Sequence, residues 1–94
     1  MRFELGEIVV TPAASAALAA SGQRLEDLLD RHQRGDWGDV SPQVREVNER
    51  GVAAQYNLQS TYPLADGRRL VVVTTRDRSA TMVHLDSPAA VRKE

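Results

Sequence analysis

With 94 residues, a net charge of −1 and no cysteine, the chain excludes disulfides, thiolate nucleophiles and cysteine-ligated zinc. The near-neutral charge also argues against a generic nucleic-acid binder, because such domains usually carry a clear basic excess. The length predicts one domain, and the lack of a secretory signal or of an apolar run of membrane-spanning length predicts a soluble, cytoplasmic protein that requires no membrane.

The first predicted elements are an extended segment and a short helix. Residues 2–10 (RFELGEIVV) end in three β-favouring residues and predict an extended N-terminal segment. The hydroxyl of Thr11 can cap a helix, and Pro12 suits its first position, where the missing N–H is not needed. We therefore predict a helix over residues 13–20 that ends at Gly22, the usual place of a C-terminal glycine.

A one-sided apolar stripe predicts the second helix, which must stop at Gly35. The stripe follows the i, i+3, i+4, i+7 spacing and consists of Leu25, Leu28, Leu29 and His32. Off the stripe, Asp27 and Arg31 have the spacing of an i,i+4 ion pair. We therefore expect this helix to bury one face and to expose a charged one.

Ser41 and Pro42 repeat the pattern of a capping residue followed by proline, and they start a third short helix. Its end is predicted near residue 53. Val44 and Val47 have helical spacing and are predicted to begin its buried face.

Three strands are predicted to follow, over residues 57–64, 69–75 and 81–85. Asp66 and Gly67 between the first two are a strong hairpin signal, because both positions of a two-residue turn need positive φ. A two-residue loop sets a register in which five apolar side chains share the core face, namely Leu58, Tyr62, Leu64, Val71 and Val73.

The length of the next loop decides which side of the last strand is buried. A five-residue loop places Val83 and Leu85 on the core face. A four-residue loop would instead bury Met82 and His84, which are less apolar, so we predict the five-residue loop.

Helices gathered before strands predict the α+β class: an N-terminal extended segment, three short helices, and a three-stranded antiparallel meander packed on the helices. The domain is predicted to span residues 1–85, with a frayed tail over residues 86–94. Leu70 and Val72 fall on the face of the meander away from the core, and we interpret this half-apolar face as a contact surface or a dimer seam.

Residues 31–42 (RHQRGDWGDVSP) contain the first candidate site. In a functional interpretation, His32 titrates at the edge of a pocket, Asp36 orients it, and Trp37 forms a stacking wall. In the simpler interpretation, which we favour, Trp37 fills the gap between two helices and His32 extends the apolar stripe.

The loop over residues 74–81 (TTRDRSAT) is the second candidate site. Arg76 and Arg78 are guanidinium forks of the kind that bind phosphate, and Ser79 adds a hydroxyl beside them. The simpler and favoured interpretation is a solvated hairpin loop in which Asp77 caps its own turn and the arginines face water.

Together the two stretches contain the groups of a metal-free ribonuclease, in which histidine moves a proton and arginine stabilises the phosphate. The catalytic set of this alternative is His32, Asp36, Arg76, Arg78 and Ser79. Two histidines 52 positions apart have no metal-ligand spacing, so we expect no metal, and no motif predicts another cofactor.

Five features carry a resemblance that spans residues 1 to about 85: MRFELGEIVVTP, RHQRGDWGDV, Asn48, Ser60-Thr61-Tyr62 and TTRDRSATMV. In these the chain resembles a family of small proteins encoded on plasmids and integrative elements of Proteobacteria. Relatives continue the last strand with a Thr-Thr pair and end in a leucine-proline-acidic stretch, from which Met82, His84 and Asp86 depart. The element order and residue inventory are also similar to those of barnase/RelE-like ribonucleases.

The resemblance implies an accessory protein of a mobile element that binds a macromolecular partner, a protein or nucleoprotein complex, as a defence or anti-defence inhibitor of the anti-CRISPR or anti-restriction type. The expected binding residues are Trp37, Tyr62, Leu70, Val72, Arg76 and Arg78. A homodimer and direct contact with nucleic acid both stay open. The alternative function is a metal-independent endoribonuclease toxin. We favour binding over catalysis because the charge is near neutral and no motif marks an active site.

Overall fold

The computed structural model describes residues 2–86, which form three helices and a four-stranded mixed sheet. The elements are β1 (Glu7–Val10), α1 (Pro12–Ser21), α2 (Leu25–Gln33), α3 (Pro42–Ala54), β2 (Leu58–Pro63), β3 (Arg69–Thr74) and β4 (Ala80–Asp86). The predicted α+β class is confirmed, and the predicted antiparallel meander is present as β2, β3 and β4, but the sheet has a fourth strand because β1 pairs parallel with β4. Of the predicted tail, Asp86 is the last residue of β4, and residues 87–94 lie outside the described residues.

Helices α1 and α3 begin, and α1 ends, where their capping residues predict. The Thr11 hydroxyl accepts a hydrogen bond from the Ala14 N–H at 3.1 Å, and the Ser41 hydroxyl accepts one from the Val44 N–H at 3.1 Å. Gly22 ends α1 in the left-handed conformation, with φ of 71°. Within residues 2–86, no helix combines the length and the apolar character needed to cross a membrane.

The sheet has the strand order β1-β4-β3-β2, with β1 parallel to β4 and the other pairs antiparallel. Gly6 allows this pairing, because its φ of 67° and the nearby backbone leave no room for a side chain: a Cβ there would lie 2.3 Å from the carbonyl carbon of Ser79. The Glu7 N–H then donates to the Ser79 carbonyl at 2.9 Å and starts the parallel ladder.

The β2–β3 hairpin has a three-residue loop, so the predicted register is wrong by one residue. The Leu64 N–H donates to the Arg68 carbonyl at 2.7 Å, the Gly67 N–H donates to the Leu64 carbonyl at 3.0 Å, and residues 65–67 form the loop. Gly67 has φ of 93°, the positive value that such a loop requires. The resulting strand partners are Leu58 with Thr74, Ser60 with Val72, and Tyr62 with Leu70.

This shift of one residue exchanges the two faces of β3. Leu70 and Val72 are fully buried on the side of the sheet that α1 and α2 cover, which we call the core face. Val71 and Val73, predicted to be core residues, lie on the other side, which we call the open face. The predicted faces of β2 are correct, since Leu58 is fully buried on the core face.

The faces of β4 are as predicted, although the loop before it is not. Thr74 pairs with Thr81, and the loop has four residues, 76–79. Because β3 is also shifted by one residue, the two errors cancel. Val83 is therefore fully buried and Leu85 half-buried on the core face.

Helix α3 lies beside β2 and buries a different side from the one predicted. Its buried residues are Asn48 and Gly51, whereas Val44 is half-buried and Val47 is 49% exposed. The small Gly51 allows the helix to approach closely, since a Cβ there would lie 3.1 Å from a methyl of Leu58. The valines of α3 are thereby left facing the edge of the open face.

The outer edge of β2 is closed by other parts of the chain. The Thr61 N–H donates to the Trp37 carbonyl at 3.0 Å, and the Asp39 N–H donates to the Thr61 carbonyl at 2.7 Å. The amide side chain of Asn48 accepts from the Gln59 N–H at 3.1 Å and donates to its carbonyl at 2.8 Å. Asn48 thus substitutes for a neighbouring strand.

Candidate functional site

Trp37 belongs to the core and not to a binding surface. It is fully buried in a cluster with Phe3 and Leu58, and its ring stacks on Phe3 with centroids 6.0 Å apart. Its indole N–H donates to a carboxylate oxygen of Glu49 at 2.8 Å, which satisfies the one polar atom of the side chain. Trp37 therefore fills space beside α2 and α3, as the simpler interpretation predicts, and has no surface to offer a partner.

His32 is fully buried, and both of its ring nitrogens bond to hydroxyl groups. The Nδ1 atom lies 2.5 Å from the Ser60 hydroxyl, and Nε2 lies 2.9 Å from the Thr74 hydroxyl. The Thr74 hydroxyl is in turn 2.7 Å from the Thr81 hydroxyl, which donates to the Leu5 carbonyl at 2.7 Å. These groups form a continuous polar chain inside the core.

The direction of this polar chain fixes the tautomer of the histidine. Thr81 uses its one proton on the Leu5 carbonyl, so Thr74 must donate to Thr81. Thr74 then accepts from His32, which places the ring proton on Nε2 and leaves Nδ1 to accept from Ser60. Burial, and to a smaller degree the charge of Arg78, lowers the pKa of His32 from 6.5 to about 4, so the imidazole is neutral at pH 7.

Asp36 does not orient His32, contrary to the functional interpretation. Its carboxylate accepts from the Arg31 guanidinium at 2.8 Å and from the Gly38 N–H at 3.3 Å. The predicted pair of Asp27 with Arg31 is accordingly absent from the described ion pairs, because Arg31 turns to Asp36. Both side chains are about half exposed, so this pair stabilises the turn after α2 only modestly.

The loop between β3 and β4 is built as a turn around Asp77. This carboxylate accepts from the Ser79 hydroxyl at 2.7 Å and from the Thr75 hydroxyl at 2.9 Å. These hydrogen bonds lower the pKa of Asp77 to about 2. Ser79 is thereby committed to the turn, as the simpler interpretation of the loop predicts.

The two arginines of this loop do not converge on one anion. Arg78 points inward, where its guanidinium donates to the carbonyls of Gly51 at 2.8 Å and Tyr56 at 2.7 Å and lies over the ring of Phe3. Arg78 thus closes the C-terminal end of α3. Arg76 is exposed on the loop. His32 contacts the same Phe3 ring, so the two predicted sites are neighbours, but they open onto no common cleft.

The remaining predicted binding residues are also buried. Tyr62 is fully buried and donates to the Asp36 carbonyl at 2.6 Å. Leu70 and Val72 are in the core because of the register described above, so their predicted role as a contact surface is wrong. A surface of the same kind exists on the other side of β3, where Val71 and Val73 lie.

The open face carries an apolar row that crosses three strands. Val9 pairs with Met82 and Met82 pairs with Val73, so the three side chains are neighbours on one face. Val9 is 45% exposed and Met82 is 43% exposed. At the far side of β3, the row ends against Val47 of α3, which lines a groove together with Val73.

This groove consists of two adjoining concave regions on the open face, which share Val44, Gln59 and Val73. Its apolar end lies between α3 and the strands, and its polar end lies beside residues 39–41, which lead into α3. The apolar end is lined by Val44, Val47, Asn57, Gln59 and Val73. The polar end adds Asp39, Thr61, Arg69, Val71, His84 and Asp86. We call the apolar row and this groove together the open-face groove.

Charge at the polar end is mostly negative. Arg69 donates to Asp39 at 2.7 Å, and this pair leaves the carboxylate of Asp86 as a further negative charge at the same end. An arrangement of this kind suits a ligand that brings aliphatic and basic groups together, and it is unfavourable for a phosphate backbone.

The sequence pattern would have located this groove if the hairpin loop had been predicted with three residues and not with two. The run of four apolar residues in β3 places Leu70 and Val72 on one face and Val71 and Val73 on the other, and the register decides which pair lies on the core face. The i,i+3 spacing of Val44 and Val47 was a usable signal, because it marks an apolar side of α3, which in the structure lines the groove.

The described residues contain no cluster of side chains suited to hold a metal ion. Comparisons of the chain with protein-family models, with curated proteins and with solved structures gave no match.

Proposed function

We propose that this protein is a binding module whose open-face groove docks on a protein partner. The observation that carries the proposal is the row of Val9, Met82 and Val73, which continues to the exposed Val47. An exposed apolar row that runs into a groove on the face of a sheet is typical of a surface that binds another protein. A row that crosses three strands is also rigid, so little conformational entropy is lost on binding.

The charges around the groove favour a protein over a nucleic acid as the partner. A nucleic acid would bring phosphates against Asp39 and Asp86, with Arg69 already paired to one of them. A protein segment that presents aliphatic side chains and one basic residue would match both ends of the groove.

The resemblance to proteins of plasmids and integrative elements makes a host-defence complex the first partner to test. In this proposal the protein is an anti-defence inhibitor of the anti-CRISPR or anti-restriction type, and it acts by occupying a surface of that complex. The ribonuclease alternative ranks below this one, because the buried His32 has both nitrogens engaged and contacts no solvent.

The proposal is tested by panning a random peptide library against the purified protein and its variants. We expect Val47→Glu and Met82→Glu to lose the peptides that wild type enriches, since each places a charge on the apolar row. Ala53→Glu is the matched control, because Ala53 is exposed on the same helix outside the groove. The enriched peptides should combine aliphatic residues with arginine or lysine, and wild type should bind them with at least tenfold higher affinity than either groove variant.

All variants should melt within a few degrees of wild type, because both substituted side chains are nearly half exposed. Peptides that bind wild type and both groove variants equally would contradict the proposal, as would enrichment of acidic sequences. A partner complex identified later should show the same order of affinities across these four proteins.

A further inference from the structure

We propose that the free edge of β1 pairs antiparallel with β1 of a second copy of this chain and makes a homodimer with a continuous eight-stranded sheet. This edge shares Val9 with the apolar row of the proposed function, but it uses the outward backbone groups of β1, which the groove does not use, and neither proposal depends on the other. Three observations carry it: the unequal treatment of the two sheet edges, the composition of α1, and the self-complementary spacing of β1.

The two outer strands of the sheet are treated differently. The edge of β2 is closed by Trp37, Asp39 and Asn48, as described above. In β1, the N–H groups of Glu7 and Thr11 bond toward β4, so period-two alternation directs those of Ile8 and Val10 outward. Among the described residues, no hydrogen bond reaches these two outward N–H groups.

Apart from its short length of four residues, strand β1 carries none of the usual features that prevent pairing of an edge. It contains no proline, lysine or bulge, and its one charged residue is Glu7 at the start. Ile8 is 39% exposed and Val9 is 45% exposed. A protein that closes one edge with other parts of its chain and leaves the other edge open and largely apolar points to a partner for the second edge.

Helix α1 provides an independent observation on the same side of the molecule. It packs over β4, the neighbour of β1, and none of its ten residues is charged. Its exposed residues are Pro12, Ala13, Ser15, Ala16, Ala19 and Ala20. A helix with solvent along its outer face normally carries charged residues there, as α2 and α3 do.

A two-fold axis perpendicular to the sheet pairs the β1 edges of the two copies and turns the outer sides of their α1 helices toward each other. It keeps the core faces of the two copies on the same side, so the two α1 helices become antiparallel neighbours. The β4 strands under these helices are then three strand spacings, about 14 Å, apart, so the small uncharged outer sides of the two helices face each other across the seam without a clash. Self-pairing also requires a patch without like charges that face each other, and α1 meets this condition because it has none.

The outward groups of β1 select one register. They bond in pairs when Ile8 lies opposite Val10 of the second copy, which makes four backbone hydrogen bonds across the axis. Val9 then lies opposite Val9 of the second copy on the open face, and the two Glu7 side chains are kept apart. The apolar row of Val9, Met82 and Val73 thereby continues from one copy into the other.

The size of this interface sets its strength. A stable interface buries about 800 Å² from each partner. This seam uses only a four-residue strand and one side of a ten-residue helix, so the interface is small. We therefore expect a reversible dimer that forms at micromolar concentration.

The register is tested by opposite charges at position 9, with the mass in solution measured by sedimentation velocity and native mass spectrometry. Wild type should shift from monomer to dimer with rising concentration. Val9→Lys and Val9→Glu should each be monomeric, because like charges would lie directly opposite. An equimolar mixture of the two should form a one-to-one heterodimer, which only the Val9–Val9 register produces. Val47→Glu is the control and should dimerise like wild type.

A wild type that stays monomeric over the whole concentration series would overturn the inference. A Val9→Lys variant that still dimerises would do the same, and so would a dimer lost in Val47→Glu, since the seam would then be the groove. Circular dichroism melting checks that the position-9 variants are folded. Val47→Glu separates the two proposals, because it is expected to lose peptide binding and keep the dimer, so the failure of one proposal leaves the other testable.

Discussion

His32 is the residue on which the choice between catalysis and binding depends. The sequence places His32 on the apolar stripe of α2, and in the structure His32 is buried on this stripe. Its partners were not predictable, because Ser60 and Thr74 come from two strands whose register the sequence left open. The polar chain to Leu5 explains why a histidine is tolerated there: among the described residues, no buried side-chain nitrogen or oxygen lacks a hydrogen-bond partner.

The lowered pKa of His32 predicts a loss of stability in mild acid. The histidine takes up a proton near pH 6.5 when unfolded and near pH 4 when folded, so the unfolded state binds the extra proton between these values. Stability is therefore complete above pH 6.5 and falls by roughly 3 kcal/mol as the pH drops to about 4. Urea unfolding at a series of pH values measures this fall.

His32→Gln should flatten the pH dependence above pH 4, whereas the exposed His84→Gln should leave it as in wild type. The carboxylates contribute separately, because hydrogen bonds lower the pKa values of Asp36, Glu49 and Asp77 and their stabilising effect is lost at still lower pH. If His32→Gln does not fold, the ring protons of wild-type His32 can be titrated by NMR. A midpoint near 6.5 would contradict the prediction.

Among the elements, the helices were predictable and the strand pairing was only partly so. Thr11-Pro12 and Ser41-Pro42 each mark a helix start by local chemistry that needs no tertiary contact. The Asp66-Gly67 turn located the hairpin for the same reason. Its loop length differs because a three-residue loop with one positive φ also satisfies Gly67, and sequence alone does not separate the two.

The pairing of β1 with β4 could not be predicted from local patterns. The two strands lie at opposite ends of the described chain, and a parallel pair has no turn that marks it. Gly6 was the available signal. A glycine within a run of β-favouring residues weakens the prediction of a strand, yet Gly6 is the position where the backbone must approach Ser79.

Neighbouring valines in β3 test the observed register directly. Val72→Ala removes two methyl groups from the core and should lower the free energy of unfolding by about 2 kcal/mol. Val73→Ala removes the same groups from a half-buried position on the open face and should cost less than about 1 kcal/mol. Chemical denaturation of both variants gives the two values under identical conditions. The opposite order would restore the two-residue loop.

At the scale of the whole molecule, the side chains with catalytic potential lie inside, and part of the exposed surface is apolar. His32 and Arg78, which the sequence suggested as catalytic groups, both point into the molecule. His32 forms hydrogen bonds with hydroxyl groups in the core, and Arg78 caps the C-terminal end of α3. The surface that remains is an apolar row with a mostly acidic end. A sequence reading finds the chemical groups readily, but whether they face solvent depends on the assembled fold, and for this reason the predicted site and the observed groove share so little.

This division leads to a prediction about RNA. A ribonuclease of this size must hold the phosphate backbone electrostatically, and its affinity would then fall steeply between about 50 mM and 200 mM salt. With a net charge of −1 and Arg78 turned inward, we expect no binding of a fluorescently labelled single-stranded RNA at the lower salt concentration, measured by anisotropy. The same RNA should stay intact on long incubation. RNA cleavage that is abolished by Arg76→Ala or His32→Gln would rank the ribonuclease above the binding module. Catalysis by His32 would require this side chain to leave the polar chain and reach solvent, and the groove would then be secondary to a site that opens.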